Sequence, residues 1–284
     1  MVPMNQLAEN PRPDASDQEF AFSAADFERT RQLIYQRAGI SLHDGKRAMV
    51  YSRLSRRLRE TGHRSFADYL KWLEGGASDA EWQEFINCLT TNLTSFFRED
   101  HHFHALAEAL KALPAGRPPR IWCNAASTGE EPYSILMVLA EVLGTSSGAK
   151  LMASDIDTKV LATAQRGVYS SDARGLSPER LKRHFMRGTG PNAGFIRVKP
   201  ELSRMVEFRQ FNLMSPSWSL GDPFDMVFCR NVMIYFDHGT QRKVLERIHG
   251  TMRPGSLLFV GHSENFTDSR DLFQLRGKTI YQRV

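Results

Sequence analysis

Residues 121–144 read IWCNAASTGEEPYSILMVLAEVLG, and the parsing of this stretch decides the fold. An apolar run ends in a turn of small residues, and a helical pattern follows over 129–143. Strand, loop and helix in that order open a nucleotide-binding α/β unit. The loop departs from a dinucleotide fingerprint: it has one glycine, Gly129, and the acids Glu130 and Glu131 stand where a pyrophosphate would sit. Backbone N–H groups and the dipole at a helix N-terminus favour anions, and two carboxylates there repel phosphate. A ligand with an adenosine but no phosphate escapes the conflict. S-adenosylmethionine is such a ligand, and its sulfonium is positive, so the loop disfavours NAD and ATP and permits S-adenosylmethionine. Ser127-x-x-Glu130 and Thr128-x-x-Glu131 both fit a capping box, in which the acid reaches back to the N-cap amide. One helix start uses only one of them. We assign Glu131 to the cap through Thr128 and Glu130 to the cofactor.

Beyond this unit, apolar runs at 150–157, 225–231, 256–261 and 278–284 alternate with helical patterns at 158–167 and 240–252. Strands alternating with helices over short connections predict an α/β fold with a doubly wound, mostly parallel sheet. Residues 168–205 interrupt the alternation; FMRGTGPNAGFIRV (185–198) reads as a hairpin around a Gly/Pro/Asn turn, a small antiparallel β-insert. Ligands of open α/β sheets lie at the carboxyl ends of the strands. Asp155 ends the second strand, 26 residues after Gly129, where an acid accepts both hydroxyls of a ribose. Asp157 and Thr158 are better placed to cap the next helix. The third strand end is FCRNVMIYF (228–236), with Tyr235 at the mouth. A base N-methyltransferase would carry an Asp/Asn-Pro-Pro-aromatic turn here; Arg230-Asn231-Val232-Met233 has no proline, which weakens a DNA-methylase reading.

Residues 24–92 read as an all-helical domain: segments at 23–40, 43–62, 65–76 and 78–93, three of them opened by serine, with Gly39 and Gly62 as stops. A helix with a Pro/Gly break (101–120) lies in the interdomain segment, 93–119. Between Lys46 and Lys71 there are eight Lys/Arg against two Asp/Glu. On the second helix Lys46, Arg53, Arg56, Arg57 and Arg59 fall opposite Val50, Leu54 and Leu58, and Arg47 falls near the apolar side. This is either a solvated face or a docking surface for an acidic partner.

Hydrophobic residues at 41% and charged residues at 24% describe an ordinary globular protein of 284 residues. No apolar run approaches the roughly 18 residues of a membrane span. Residues 1–23 are polar and proline-bearing, with no apolar core for a secretion signal, and read as a disordered leader. Cys88, Cys123 and Cys229 lie far apart in apolar segments, as buried thiols of a cytoplasmic protein do. The net charge of +5 admits an acidic partner. His101 and His104 stand at i, i+3 with no third ligand at a sensible spacing, so no metal is expected.

Five ordered motifs, TTNLTSFFRE (90–99), AASTGEEPYSI (125–135), ASDID (153–157), FCRNVMIYF (228–236) and GHSENF (261–266), together resemble the bacterial chemotaxis receptor methyltransferases, the CheR type. The resemblance covers about 24–284. It implies a class I methyltransferase domain (120–284) with its β-insert, behind the all-α domain. It implies an enzyme that uses S-adenosylmethionine to methyl-esterify glutamate side chains on the cytoplasmic helices of chemoreceptors, leaving S-adenosylhomocysteine. Its cofactor contacts carry onto Asn92, Thr94, Arg98, Glu130, Asp155, Asn212, Leu213, Arg230 and Asn231; Arg98 and Tyr235 are its candidates for positioning the reacting groups. It further implies a monomer whose basic helix, with Arg53, Arg56, Arg57 and Arg59, meets the receptor, and whose β-insert in some members holds the receptor's C-terminal tail. Two competing readings are a nucleic-acid methyltransferase, suggested by the basic front domain, and a non-enzymatic regulator that binds through its helices and senses a ligand in its α/β domain.

Overall fold

Serine caps set the helices of the front domain. Ser23 accepts the Asp26 N–H at 3.1 Å and Asp26 returns its carboxylate to Ser23 N at 2.8 Å, a capping box that starts α1 (Ala24–Ala38). Ser65 and Ser78 start α3 (Phe66–Gly76) and α4 (Asp79–Leu89) in the same manner. Between them, α2 (Arg47–Thr61) ends at Gly62 in the left-handed conformation. Ile34, Val50, Leu54, Leu58, Phe66, Leu73 and Phe85 close the core. The computed structural model describes residues 19–114 and 117–284. Most of the leader, 1–18, lies outside the described residues, but its end is folded. Phe22 is buried against Phe66, ring centroids 4.4 Å apart, and Arg47 donates to the Phe22 carbonyl at 2.6 Å. The apolar-side position of Arg47 therefore has a use: it ties down the entering chain.

The predicted alternation forms a seven-stranded sheet. Five strands run parallel in the order β6 (Val206–Gln210), β2 (Lys150–Asp155), β1 (Arg120–Cys123), β7 (Phe224–Cys229), β8 (Met252–Val260). β10 (Ile280–Arg283) then pairs antiparallel to β8, and β9 (Phe273–Gly277) antiparallel to β10. Every residue of β7 is buried, as a central strand covered on both faces requires. α5 (His101–Ala112) and α6 (Glu130–Leu143) cover one face through Phe103, Leu106, Leu110, Ile135 and Leu139. α8 (His238–Thr251) covers the other through Val244, Leu245 and Ile248, and α7 (Thr158–Arg166) links β2 to the insert. β6 and β9 were not anticipated. Both are edge strands; VEFRQ interleaves charges and FQLRG buries only Phe273, so neither has the apolar run that marks an inner strand.

The insert is a three-stranded antiparallel sheet in the order β3 (Val168–Ser170), β5 (Phe195–Val198), β4 (Phe185–Arg187). The expected hairpin is β4–β5, and β3 joins its inner side.

The basic face of α2 is smaller than its sequence suggests. Arg57 makes a bidentate pair with the buried Glu81, whose carboxylate also takes the Tyr69 hydroxyl at 2.8 Å. That carboxylate raises the Arg57 pKa further; burial pushes Glu81 up, but Arg57 and Tyr69 outweigh it and hold Glu81 below the usual range. Arg53 donates to the Thr90 carbonyl at 2.6 Å. All four arginines assigned to a partner are engaged within the chain: Arg57 and Arg53 as above, and the exposed Arg56 and Arg59 in surface pairs with Glu60 at 3.0 Å and Glu19 at 2.8 Å. Arg57→Ala strands a buried carboxylate and is expected to cost roughly 3 kcal/mol in urea unfolding. Arg56→Ala and Arg59→Ala, on the surface, are expected to change stability by less than about 0.5 kcal/mol.

Candidate cofactor site

β1 delivers the chain to a loop over the sheet's carboxyl edge. Ala126 donates to the Ser154 carbonyl, Ser127 takes φ 48°, and its N–H reaches Asp155 Oδ2 at 2.8 Å. Gly129, at φ 100°, is the N-cap of α6. A side chain there would clash with the Tyr169 hydroxyl, since its Cβ would sit 2.6 Å from that oxygen. This geometry removes the cap assigned to Glu131 through Thr128. No side chain caps α6. Glu130 accepts the Thr128 hydroxyl at 2.6 Å and stays outside the cavity described below. Glu131 turns inward and lines the cavity; it is buried, accepting Arg230 Nη1 at 2.5 Å and the Cys123 thiol at 3.3 Å. The physical reason is helix phase. With the N-cap at Gly129, Glu131 is the second helical residue and faces the sheet, and no reach back to Thr128 remains.

The cap of α7 falls where the sequence suggested. Asp157, not Asp155, caps α7, accepting from Lys159 N at 2.9 Å and Val160 N at 3.3 Å. Asp155 is 8% exposed, and burial raises its pKa to about 6 although the N–H groups of Asp157 and Ser127 oppose the shift. With the Ile156 N–H also turned to the carboxylate, acceptor capacity for a ligand still remains.

The end of β7 is held by two buried charges. Arg230, 3% exposed, donates from Nη2 to the Arg98 carbonyl at 2.5 Å, and Nη2 lies 3.4 Å from Glu99 Oε2. The next turn wraps a carboxylate from the following loop. Glu264 Oε1 accepts the N–H groups of Val232 (2.9 Å) and Met233 (2.8 Å), and Oε2 those of Asn231 (2.9 Å) and Gly261 (2.5 Å). Asn231 sits at φ 57°. Sequence reading quoted GHSENF without finding this role, because a carboxylate that binds only backbone leaves no pattern in its partners' side chains.

These loops, the interdomain segment and the helical domain enclose a cavity of about 290 Å³, near the lower end of small-molecule sites. Asn92, Thr94, Arg98, Asp155, Asn212, Leu213, Arg230, Asn231 and Tyr235 all line it, as does Glu131, whereas Glu130 lies outside the lining. Several of the amides serve the frame. Asn92 donates to Asp157 Oδ2 at 2.8 Å, and Asn212 donates to the Arg37 carbonyl at 2.7 Å. Arg98 Nη1 donates to the Leu93 carbonyl at 3.1 Å, and the Tyr235 hydroxyl to the Thr91 carbonyl at 3.4 Å. Burial raises the Tyr235 pKa, so its hydroxyl stays protonated. Asn124, which no motif argument singled out, also lines the cavity. It is buried, and its amide has no hydrogen-bond partner among the described residues beyond the Cys229 thiol. An orphaned buried amide costs stability unless a ligand meets it, and together with the Asp155 carboxylate it suits a nucleoside.

Comparison with known proteins agrees with this geometry. A family described as "CheR methyltransferase, SAM binding domain" matches residues 92–282, and "CheR methyltransferase, all-alpha domain" matches 25–90. The chain is 53% identical to a chemotaxis protein methyltransferase of Escherichia coli, over 93% of this chain and 92% of that one. Identity to chemotaxis protein methyltransferase 2 of Pseudomonas aeruginosa is 51%, over 95% of this chain and 97% of that one.

Asp155 gives the site a pH dependence. A ribose diol needs the carboxylate, so S-adenosylhomocysteine affinity, measured by calorimetry, is expected to fall about tenfold from pH 7.5 to pH 5 as Asp155 protonates near its raised pKa. Asp155→Asn is expected to bind weakly with that dependence flattened. In the unliganded protein the sign is opposite. Burial disfavours the charged form, so Asp155 costs stability above pH 6, and the cost disappears as pH falls from about 6 towards 3.8.

Proposed function

The chain belongs to the CheR methyltransferase family, and from that premise we propose that it methyl-esterifies glutamate side chains on the cytoplasmic helices of chemoreceptors for chemotactic adaptation. The cofactor is S-adenosylmethionine, and this half of the reading is the family's own. Bound, it supplies a methyl group activated on a sulfonium. The observation that supports the glutamate half is that Arg98 and Tyr235 both line the cavity.

What the chain must do follows from the acceptor. A glutamate with an ordinary pKa of about 4.3 is already ionised at pH 7, so no general base is needed. Arg98 offers the carboxylate the N–H groups that the Leu93 carbonyl leaves free, and Tyr235, whose one O–H is held by the Thr91 carbonyl, shapes the mouth beside it. Asp155 and Asn124 grip the nucleoside, and Leu213 supplies an apolar wall. Positioning and exclusion of water then provide the acceleration.

The internal engagement of Arg53 and Arg57 removes much of the support for a nucleic-acid substrate, as does the proline-free turn at 230–233. Arg56 and Arg59 are the exposed pair that an acidic protein partner would reach, in competition with Glu60 and Glu19. The receptor's C-terminal tail pairs with an edge strand of the insert, β3 or β4, as an added strand. The enzyme acts as a monomer in this reading. No helix among the described residues is long and apolar enough to cross a membrane, and the acceptor helices place the work in the cytoplasm.

Labelled methyl from S-adenosylmethionine should appear on receptor membranes as an alkali-labile ester. Label on DNA or RNA instead would reject the glutamate reading. Arg98→Ala is expected to lower turnover by about a hundredfold or more while the circular dichroism spectrum is unchanged; near-normal methylation by that variant would remove Arg98 from the mechanism.

A further inference from the structure

Leu93 is 84% exposed, the highest value among the exposed large hydrophobics, yet it lines the cavity. Its backbone is fixed. The Thr91 carbonyl accepts the Tyr235 hydroxyl, the Asn92 carbonyl accepts Ser127 Oγ at 2.9 Å, and the Leu93 carbonyl accepts Arg98 Nη1. Ile234, 49% exposed, also lines the cavity, next to Tyr235 on the turn that Glu264 secures. Two aliphatic side chains are thus held out to water by rigid backbone, on the two segments that the Tyr235–Thr91 hydrogen bond joins. A leucine so exposed gains nothing within the fold and gains on contact with a partner.

The reaction explains why the mouth should be apolar. A C–S bond breaks with its electron pair kept by sulfur, and a C–O bond forms from a carboxylate lone pair; no proton moves. A cation and an anion become a neutral thioether and a neutral ester. Water at the mouth stabilises the charged reactants more than the neutralising transition state and so slows transfer. The helical domain and the sheet close the cavity elsewhere; the mouth is left for the substrate to close.

We propose that Leu93 and Ile234 form an apolar rim that seats on the receptor helix carrying the acceptor glutamate, making them specificity-determining contacts that seal the reaction centre. The proposal rests on the glutamate reading above. The helix it fits carries small or aliphatic side chains one turn either side of the acceptor, since residues three and four apart share a face. A helix with charged residues at those places would set charge against Leu93 and Ile234 and be a poor substrate.

The test uses the full-length enzyme and receptor membranes. For Leu93→Ser and Ile234→Ser we expect kcat/KM for receptor to fall about tenfold each, with S-adenosylhomocysteine affinity within about twofold of wild type, as calorimetry reads it. Leu93→Met keeps an apolar rim and should stay within about threefold of wild type. Wild-type kcat/KM in both serine variants overturns the rim alone. Weakened cofactor binding in Leu93→Ser also overturns it, by moving Leu93 into the cofactor pocket. Failure of the wild-type enzyme to label receptor glutamates overturns the glutamate reading and the rim with it.

Discussion

The buried guanidinium of Arg230 is the point on which the site's geometry depends. It joins three segments distant in sequence: the end of β7, the first turn of α6 through Glu131, and the interdomain segment through Glu99 and the Arg98 carbonyl. Burying such an ion pair brings little net stability, because desolvation offsets most of the attraction. It brings register. With one arginine matched to two carboxylates and a carbonyl, the segment bearing Arg98 stays fixed against the strand that leads to Tyr235. The same charge shapes its surroundings: burial first and Arg230 second hold His102 neutral, its pKa lowered to about 3.

Around that hub the backbone is strained, and the strain has local compensation. Of the five non-glycine residues with positive φ among the described residues, Phe97, Glu99, Ser127 and Asn231 lie in the segments that border the cavity. Each such residue costs on the order of 1–3 kcal/mol and persists only where its surroundings over-determine it. Here the N–H of Ser127 is taken by Asp155, that of Asn231 by Glu264 and that of Phe97 by Ser134 Oγ at 3.0 Å. Buried carboxylates therefore serve both ends of the chemistry. Glu264 is used up by backbone and shapes the wall, while Asp155 shapes the loop and still has capacity for a ligand.

Much of this was legible in the sequence. The strand–loop–helix unit, the alternation that follows, Asp157 as the cap of α7, and the helical front domain all rest on local patterns with local causes. What was not legible depends on phase or on distant partners. Glu130 and Glu131 both satisfied a capping box; where the helix starts decides between them, and that start is set by Gly129 meeting Tyr169 from another element. Arg57 sits on what looks like a solvated arc until Glu81, 24 positions away, is brought beside it. Asn124 carries no motif signal, and only burial shows that its amide has no partner among the described residues beyond the Cys229 thiol.

The helical domain is part of the site's frame and not an appendage. Ser41 N donates to the Tyr235 carbonyl at 2.7 Å, Asn212 binds the Arg37 carbonyl, Gln83 binds the Ile156 carbonyl at 2.8 Å, and Asn87 donates to Thr158 Oγ1 at 3.0 Å. At Gly39 the approach is so close that a Cβ would lie 2.7 Å from Met214 Sδ. These contacts grip the carboxyl edges of β2 and β7, where Asp155 and Tyr235 stand. Directed polar contacts of this kind fix orientation, whereas apolar contact alone tolerates sliding. The helices thus set where the cavity opens, and the side chains they leave exposed, Arg56 and Arg59, belong to the same rigid frame as Arg98 and Tyr235. A partner that engages that face is presented to the cavity mouth in a fixed orientation, so recognition at the helices and positioning at the carboxylate become one geometric problem.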